Sequence, residues 1–154
     1  MADADEKRVS AERVIDAPAE RIFAVLADAR QHHLIDGSDM LQSSLKAPDQ
    51  LTLGSKFSMS MKMGVLPYRI SNEVVEYEQD RRIAWCHFGK HRWRYELEPQ
   101  ADGKTLVRET FDWSTAVVPK VIELMGAPKK NQPAMVRTLE RLAEAVEGKD
   151  DSHG

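Results

Sequence analysis

The sequence is poor in cysteine, with Cys86 as the only one among 154 residues. One cysteine cannot form a disulfide within the chain, and a zinc site built on cysteines needs several thiolates. Its glycines are also isolated from one another between the predicted strands, so the sequence has no glycine-rich phosphate loop. We therefore expect a reducing, cytoplasmic environment, and the sequence indicates neither a metal nor a nucleotide cofactor.

Basic charge and long apolar runs are lacking as well. The chain has 22 Lys and Arg against 25 Asp and Glu, a net charge of −3, which gives no basic field that would bind nucleic acid. No apolar run approaches the roughly 18 residues that cross a bilayer. We expect neither a nucleic-acid partner nor a membrane span.

The two ends of the chain read as solvated tails. Residues 1–8 are mostly charged and lack the apolar core that a signal peptide needs. We expect flexible tails at residues 1–8 and 148–154 on either side of one domain at 9–147, a length that suits a single core.

Hydrophobic periodicity changes along the chain and predicts the order β-α-α-β6-α. Residues 9–15 read as a strand, and two short helical stretches follow up to residue 35. From Leu41 to Trp113 the period is two, with turn signals that separate about six further strands. The prediction is an α+β fold in which a curved antiparallel sheet of about seven strands wraps around a long C-terminal helix.

The last helix is predicted to follow a proline-bracketed loop at residues 127–133, with Asn131 as its cap and Gly148 at its end. Apolar residues on one predicted face indicate that this side packs on protein. These residues are Met135, Val136, Leu139, Leu142, Ala143 and Val146.

Loop length decides which side chains share a face in the hairpin at residues 83–97. A two-residue turn at Gly89 would place Trp85 and Trp93 on opposite faces, whereas an odd-length loop pairs them on one face. We favour the odd loop, because it also pairs Ile83 with Tyr95 and leaves charged residues on the other face.

The next hairpin closes at residues 101–103, and a three-residue loop ending in Gly103 fits a type I turn plus bulge. This register pairs Tyr95 with Glu109 and Trp93 with Phe111 on the inner face. A two-residue turn would instead place two glutamates opposite each other. The favoured register sets the Glu109 carboxyl among aromatic rings.

Two further strands contribute to the inner face. In residues 56–63, Phe57 and the methionines that follow it alternate with Ser and Lys, which predicts one apolar, deformable face. In residues 68–77 the inward parity changes partway along, which indicates a bulge whose position the pattern leaves open. If the alternation at the start of this segment sets the inward face, Tyr68 and Asn72 point inward.

Nine of the ten aromatic residues lie between Phe57 and Trp113, so the large rings belong to the sheet and few belong to the helices. A strongly curved sheet facing one helix can leave a void that such side chains line. The alternative is a closed, fully packed core, and periodicity alone leaves both open.

The element order, together with the segments VIDAPAERIFAVLAD, RRIAW, RWRYELEP and ETFDWS, resembles the polyketide cyclase/dehydrase and lipid-transport branch of the START-like (SRPBCC) superfamily. The likeness extends over about residues 8–147. It implies the helix-grip fold and an apolar ligand held between the sheet and the C-terminal helix. Because the superfamily includes carriers, receptors and cyclases, it does not define the ligand or the reaction.

The leading hypothesis is a binder or transporter of a lipid, polyketide or isoprenoid-like molecule. Predicted ligand contacts come from the inner face of the sheet and from the helix stripe. They are Phe57, Met59, Met61, Tyr68, Asn72, Trp85, His87, Trp93, Tyr95, Glu109, Phe111, Trp113, Met135, Leu139 and Leu142.

Five residues are the candidates for polar chemistry. Glu109 in an apolar cavity could act as an acid or base, or could simply hydrogen-bond Tyr95. His87 and His91 would face each other, but a metal site needs a third ligand that the sequence does not supply. His32 and Asp36 would lie at the cavity mouth and meet a ligand's polar end, or Asp36 would cap a turn and the histidine would be solvated.

Two alternative functions remain open at this level. One is a polyketide aromatase, cyclase or dehydratase that uses Glu109 as its acid or base. The other is a protein-interaction module with a closed core, which could form a homodimer through an exposed sheet edge.

Overall fold

A computed structural model describes residues 7–38 and 41–147, without the side chains of residues 42–46 and 63. Apart from Lys7 and Arg8, the predicted tails lie outside the described residues. The helices are α1 (Ala19–Leu26), α2 (His32–Ile35), α3 (Pro119–Leu124) and α4 (Ala127–Val146), with a 3-10 turn at Ala29–Gln31. The strands are β1 (Arg8–Ile15), β2 (Leu41–Lys46), β3 (Lys56–Met63), β4 (Leu66–Glu78), β5 (Arg82–Cys86), β6 (Arg92–Pro99) and β7 (Thr105–Asp112).

The seven strands form one antiparallel sheet in the order β1-β7-β6-β5-β4-β3-β2. Strands β2 to β7 follow one another as neighbours, and β1 closes onto β7. The two short helices connect β1 to β2, the strands at opposite edges of the sheet. This is the predicted α+β helix-grip fold.

Both hairpins adopt the favoured register. Trp85 lies opposite Trp93, and Tyr95 lies between Ile83 on one side and Glu109 on the other. Gly103 has the positive φ of +85° that its place at the end of the second loop requires. The large rings therefore share one face of the sheet.

The bulge in β4 falls at Val75, where the register with β5 shifts between Val74 and Glu76. It lets Asn72 and Val74 before the bulge, and Tyr77 after it, all face the core. Asn72 and Val74 are buried, and the Tyr77 ring meets that of Phe23 edge-on at 5.6 Å. The change of parity in the sequence thus has one local cause.

The C-terminal helix begins earlier than the sequence pattern suggests. Residues 127–133, predicted to be a loop, are its first two turns, so Asn131 lies inside the helix and is not its cap. Gly126, at φ +72°, makes the turn into the helix, and Pro128 occupies the first turn, where proline is tolerated. Pro133 lies within the helix on its exposed side, where its ring removes one hydrogen bond.

The buried stripe of α4 is also shifted from the predicted one. Val136 is 46% exposed, whereas Ala134 and Thr138 are buried. The other predicted residues of the stripe are buried as expected, namely Met135, Leu139, Leu142, Ala143 and Val146. The helix packs mainly on β1 and on α2.

Charged side chains cover the outer face of the sheet. Several of them form ion pairs with a diagonal neighbour and not with the residue directly opposite. Arg92 lies opposite Asp112 in register, yet it binds Glu76 at 2.6 Å, and Asp112 receives Arg94 at 3.2 Å. Arg94 also bonds Glu76, so one guanidinium joins two carboxylates. Beneath this network Cys86 is only 6% exposed, although its face was predicted to be wet.

The loop after α2 touches the backbone of α4 at Gly37. A Cβ placed on Gly37 would lie 2.1 Å from the Ala134 carbonyl oxygen and 2.7 Å from the Thr138 nitrogen. The Gly37 N–H donates to Thr138 Oγ1 at 2.8 Å, and Arg137 Nε donates to the Gly37 carbonyl at 2.8 Å. This contact, which we call the Gly37 clamp, joins the loop after α2 to helix α4.

We expect Gly37→Ala to destabilise the fold, because its methyl group has no room against the backbone of α4. The expected loss is about 2–3 kcal/mol, typical of overpacking, in urea unfolding followed by circular dichroism. The matched control is Gly64→Ala, where φ is +62° but nothing lies within 4 Å, and it should lose only about 1 kcal/mol. Equal losses at the two sites would contradict the steric explanation.

Candidate functional site

A cavity of about 300 Å³ lies between the inner face of the sheet and helix α4. Its wall is formed by β2 to β7 with the loop between β5 and β6, by α2 and the loop after it, and by the first half of α4. The lining residues are His32, Ile35, Asp36, Ser38, Leu41, Phe57, Met59, Met61, Tyr68, Ile70, Asn72, Trp85, His87, His91, Trp93, Tyr95, Glu109, Asn131, Ala134, Met135 and Thr138.

Most of the residues predicted to contact a ligand belong to this wall. They come from the alternating inner positions of the strands, from Met135 and from the two mouth positions. Four predicted residues lie elsewhere. Phe111 and Trp113 pack with Met135 in a small separate cluster, and Leu139 and Leu142 lie in the main core further along α4.

The wall also contains residues that the sequence prediction omitted. Ala134 and Thr138 were missed because the helix face is rotated from the predicted stripe, and Asn131 was missed because it was taken for a cap. Ile70 could have been found, since it alternates with Tyr68 and Asn72. Ile35 of α2, Ser38 of the following loop and Leu41 at the start of β2 follow no period that a sequence reveals.

Aromatic rings form one side of the cavity around Trp85. The His32 ring stacks on Trp85 with centroids 4.7 Å apart, and Phe57 meets Trp85 edge-on at 5.7 Å. Tyr95 adds a tilted contact at 5.6 Å. These mutual contacts hold the rings in place and leave their other surfaces toward the void.

His32 is an aromatic wall residue and is not solvated. It is 5% exposed, and its Nε2 bonds the Leu26 carbonyl oxygen at 2.8 Å, which makes Nε2 the donor. Burial lowers the pKa of His32 to about 4, against the opposing effect of that hydrogen bond. The ring is therefore neutral at pH 7.

Glu109 is the most deeply buried carboxyl of the cavity wall, at 3% exposure. The Tyr95 hydroxyl donates to Glu109 Oε2 at 3.0 Å, while Oε1 is buried with no partner among the described residues. Burial raises the pKa of Glu109 to about 8; the hydrogen bond from Tyr95 opposes this shift and the Asp36 charge adds to it. Burial, more than the nearby Glu109 charge, also raises the pKa of Tyr95.

His87 and His91 meet at the hairpin end of the cavity, with their rings edge-on and 4.5 Å apart. His87 Nδ1 accepts the Gly89 N–H at 3.0 Å, and His91 Nδ1 is buried with no described partner. Burial lowers the pKa of both rings, that of His91 to about 4 with help from His87. Within the described part of the chain, no three His, Cys, Asp or Glu side chains cluster as a metal site requires.

Asp36 lies at the cavity wall but is engaged by its own loop. Its carboxylate accepts the N–H and the hydroxyl of Ser38 at 3.1 and 2.7 Å and the N–H of Leu41 at 2.8 Å. These bonds cap the turn that carries the Gly37 clamp. Asp36 thus adds negative charge to the wall and also shapes the loop.

A second depression on the outer face of the sheet is shallow and open. Its charges bind one another, as in the pairs Arg108 with Glu12, Arg82 with Glu96, and Arg94 with Glu76. Such a self-neutralised surface has less to offer a ligand than the enclosed apolar cavity, which is the candidate site.

The fold and the site define a class of protein. Residues 6–147 match the family described as polyketide cyclase / dehydrase and lipid transport, and the chain belongs to this family. No α-helix in the described part of the chain has the length and hydropathy that crossing a bilayer requires.

The chain is also similar to particular proteins in sequence or in structure. The protein Rv0088 of Mycobacterium tuberculosis is 38% identical over 148 residues, which are 94% of this chain and 66% of that protein. The chain therefore spans slightly less than two thirds of that relative. The crystal structure of NE0264 from Nitrosomonas europaea has a TM-score of 0.72 at 14% identity and 97% and 98% coverage of the two chains. The solution structure of the Polyketide_cyc-like protein Cgl2372 from Corynebacterium glutamicum has a TM-score of 0.57 at 19% identity and 95% and 94% coverage.

We expect the stability of the protein to fall from pH 6.5 to pH 8 because of Glu109. Its folded-state pKa of about 8 lies above the ordinary 4.5, so the folded chain holds a proton that the unfolded chain has lost. The free energy of unfolding then falls by up to about 1.4 kcal/mol per pH unit in this window. The pKa values of His32 and His91 are lowered, so the stability that depends on these rings being neutral is lost only as the pH falls below 6.5.

Urea unfolding at pH 6.5 and pH 8 checks this expectation. Glu109→Gln should remove most of the slope, whereas the exposed control Glu98→Gln should keep it. A slope that survives unchanged in Glu109→Gln would show that other groups cause it.

Proposed function

We propose that the protein binds or carries an apolar small molecule, of lipid, polyketide or isoprenoid type, in the cavity under helix α4. The observation that carries the proposal is a space of about 300 Å³ between the sheet and helix α4 whose wall is mainly aromatic and aliphatic. Ligand pockets begin at about this volume, and apolar walls with a few polar groups are their usual form. The single cysteine supports a cytoplasmic carrier.

Affinity would come from removing the ligand's apolar surface from water, at about 25 cal/mol per Å² before the entropy cost of binding. Met59, Met61 and Met135 contribute flexible side chains to the wall. Because methionine adapts to different shapes, we propose broad selectivity among ligands of similar size. A closed core, which the interaction-module hypothesis requires, would not contain a void of this volume.

Filling the cavity should weaken the binding of apolar ligands. Ala134→Phe places a ring in the void, and we expect affinity for apolar chains of about ten carbons to fall at least about tenfold, roughly 1.4 kcal/mol. The matched control is Val136→Phe, on the same helix but 46% exposed, which should bind as the wild type does. Native mass spectrometry and isothermal titration measure both variants. Absence of any bound apolar compound in the wild type would refute the proposal.

A second candidate function is supported by the buried Tyr95 and Glu109 pair. An ionised Glu109 could take a proton from a carbon between two carbonyls, and that carbon could then attack a ketone of the same molecule. Tyr95, whose hydroxyl is 3.0 Å from Glu109, would protonate the new alkoxide and regain its proton from Glu109. The net reaction forms one carbon–carbon bond without change of mass.

This aldol cyclisation is tested with a linear 1,3,5,7-tetraketone, in which a carbon between two carbonyls can close a six-membered ring on a distant ketone. We expect a ring product of unchanged mass, detected by chromatography and NMR, and at least about a hundredfold loss of rate in Glu109→Gln and Tyr95→Phe. Glu98→Gln serves as the control that keeps the rate. If the wild type forms no ring product above the uncatalysed rate, the enzyme candidate is wrong.

A further inference from the structure

The described cavity wall carries no positive charge at neutral pH. Neither Lys nor Arg is among its described residues, and its two acidic residues are Asp36 and Glu109. The three histidines of the wall have pKa values lowered mainly by burial, to about 4 for His32 and His91. A carboxylate entering this space would lose its water and find no cation to replace it.

Two arginines of α4, Arg137 and Arg141, bond the loop between α2 and β2. Arg137 donates to the carbonyl oxygen of Gly37 at 2.8 Å, and Arg141 donates to that of Asp36. Both guanidinium groups thus bond the backbone of the loop and are not part of the cavity wall.

At the inner end of the cavity, Glu109 presents a hydrogen-bond donor. Because the Tyr95 hydroxyl donates to Oε2, the carboxyl proton of the neutral acid belongs on Oε1, the oxygen without a described partner. Ala11, the cross-strand neighbour on the other side of Glu109, has no polar side-chain atom to offer. A buried donor without an acceptor is unfavourable, and a ligand acceptor would complete its hydrogen bond.

His91 provides a second uncharged polar atom along the same face. Its ring meets that of Phe111 at 5.3 Å, and Phe111 lies two residues beyond Glu109 on β7. Both positions offer hydrogen bonds without full charge.

We propose that the cavity selects an uncharged apolar ligand bearing a hydrogen-bond acceptor, such as a ketone or ester carbonyl, and discriminates against carboxylates of the same size. The acceptor meets Oε1 of Glu109, and the apolar chain lies along Trp85, Trp93 and the methionines. This inference rests on the proposed binding function and specifies its ligand class.

Three probes of matched length test the ligand class by isothermal titration at pH 7.4. They are 2-undecanone, decanoate, and 2-methylundec-1-ene, in which a methylene group replaces the carbonyl oxygen of the ketone. We expect the ketone to bind at least about tenfold more tightly than decanoate, equivalent to about 1.4 kcal/mol. Equal or tighter binding of decanoate would overturn the inference while leaving the binding function intact. If none of the three binds, the binding function fails as well.

Variants at Glu109 separate the hydrogen bond from general hydrophobicity. Glu109→Leu should reduce the affinity ratio of ketone to alkene by about fivefold to tenfold, whereas Glu109→Gln, which keeps a neutral N–H donor, should retain it. A ratio that Glu109→Leu leaves unchanged would overturn the role of Oε1. The wild-type comparison of ketone with decanoate needs no variant, so the inference can be refuted even if Glu109→Leu does not fold.

Discussion

The alternation of side chains along the strands, set in register by two hairpin loops, is the constraint on which the rest of the structure depends. Because side chains alternate at a period of two, a slip of one residue would move Trp85, Tyr95 or Glu109 to the outer face. The observed pairs of Trp85 with Trp93 and of Tyr95 with Glu109 place rings and a carboxyl on the concave side. The same alternation gathers the arginines and their carboxylate partners on the convex side.

Helix α4 covers this concave face to form the cavity, and the contact at Gly37 connects the helix to the loop between α2 and β2. A residue with a Cβ would push the loop away from the backbone of α4. Asp36 and Thr138 hold the loop by hydrogen bonds on either side of Gly37. The stability of the fold and the shape of the cavity wall therefore depend on the same few atoms, and a change that loosens the loop would alter both.

The polar atoms of the cavity carry a cost that the fold alone does not explain. Glu109 Oε1 and His91 Nδ1 are buried without described partners, although most buried polar atoms in proteins are hydrogen-bonded. A fully apolar wall at these positions would make a more stable protein. Uncharged, unpaired groups are instead suited to a ligand that completes their hydrogen bonds, which is the ligand class proposed above.

The sequence by itself determined the order of elements, the register of both hairpins and the inward position of Glu109, because these depend on local periodicity and turn residues. It did not determine the start of α4, since Pro128 and Pro133 disfavour a helix locally and only packing of the later turns outweighs them. Nor did it reveal that Arg92 binds Glu76, or that Ile35, Ser38 and Leu41 join the wall. Such contacts join residues that are distant in the chain or follow no period, so only the assembled sheet, loop and helix decide them.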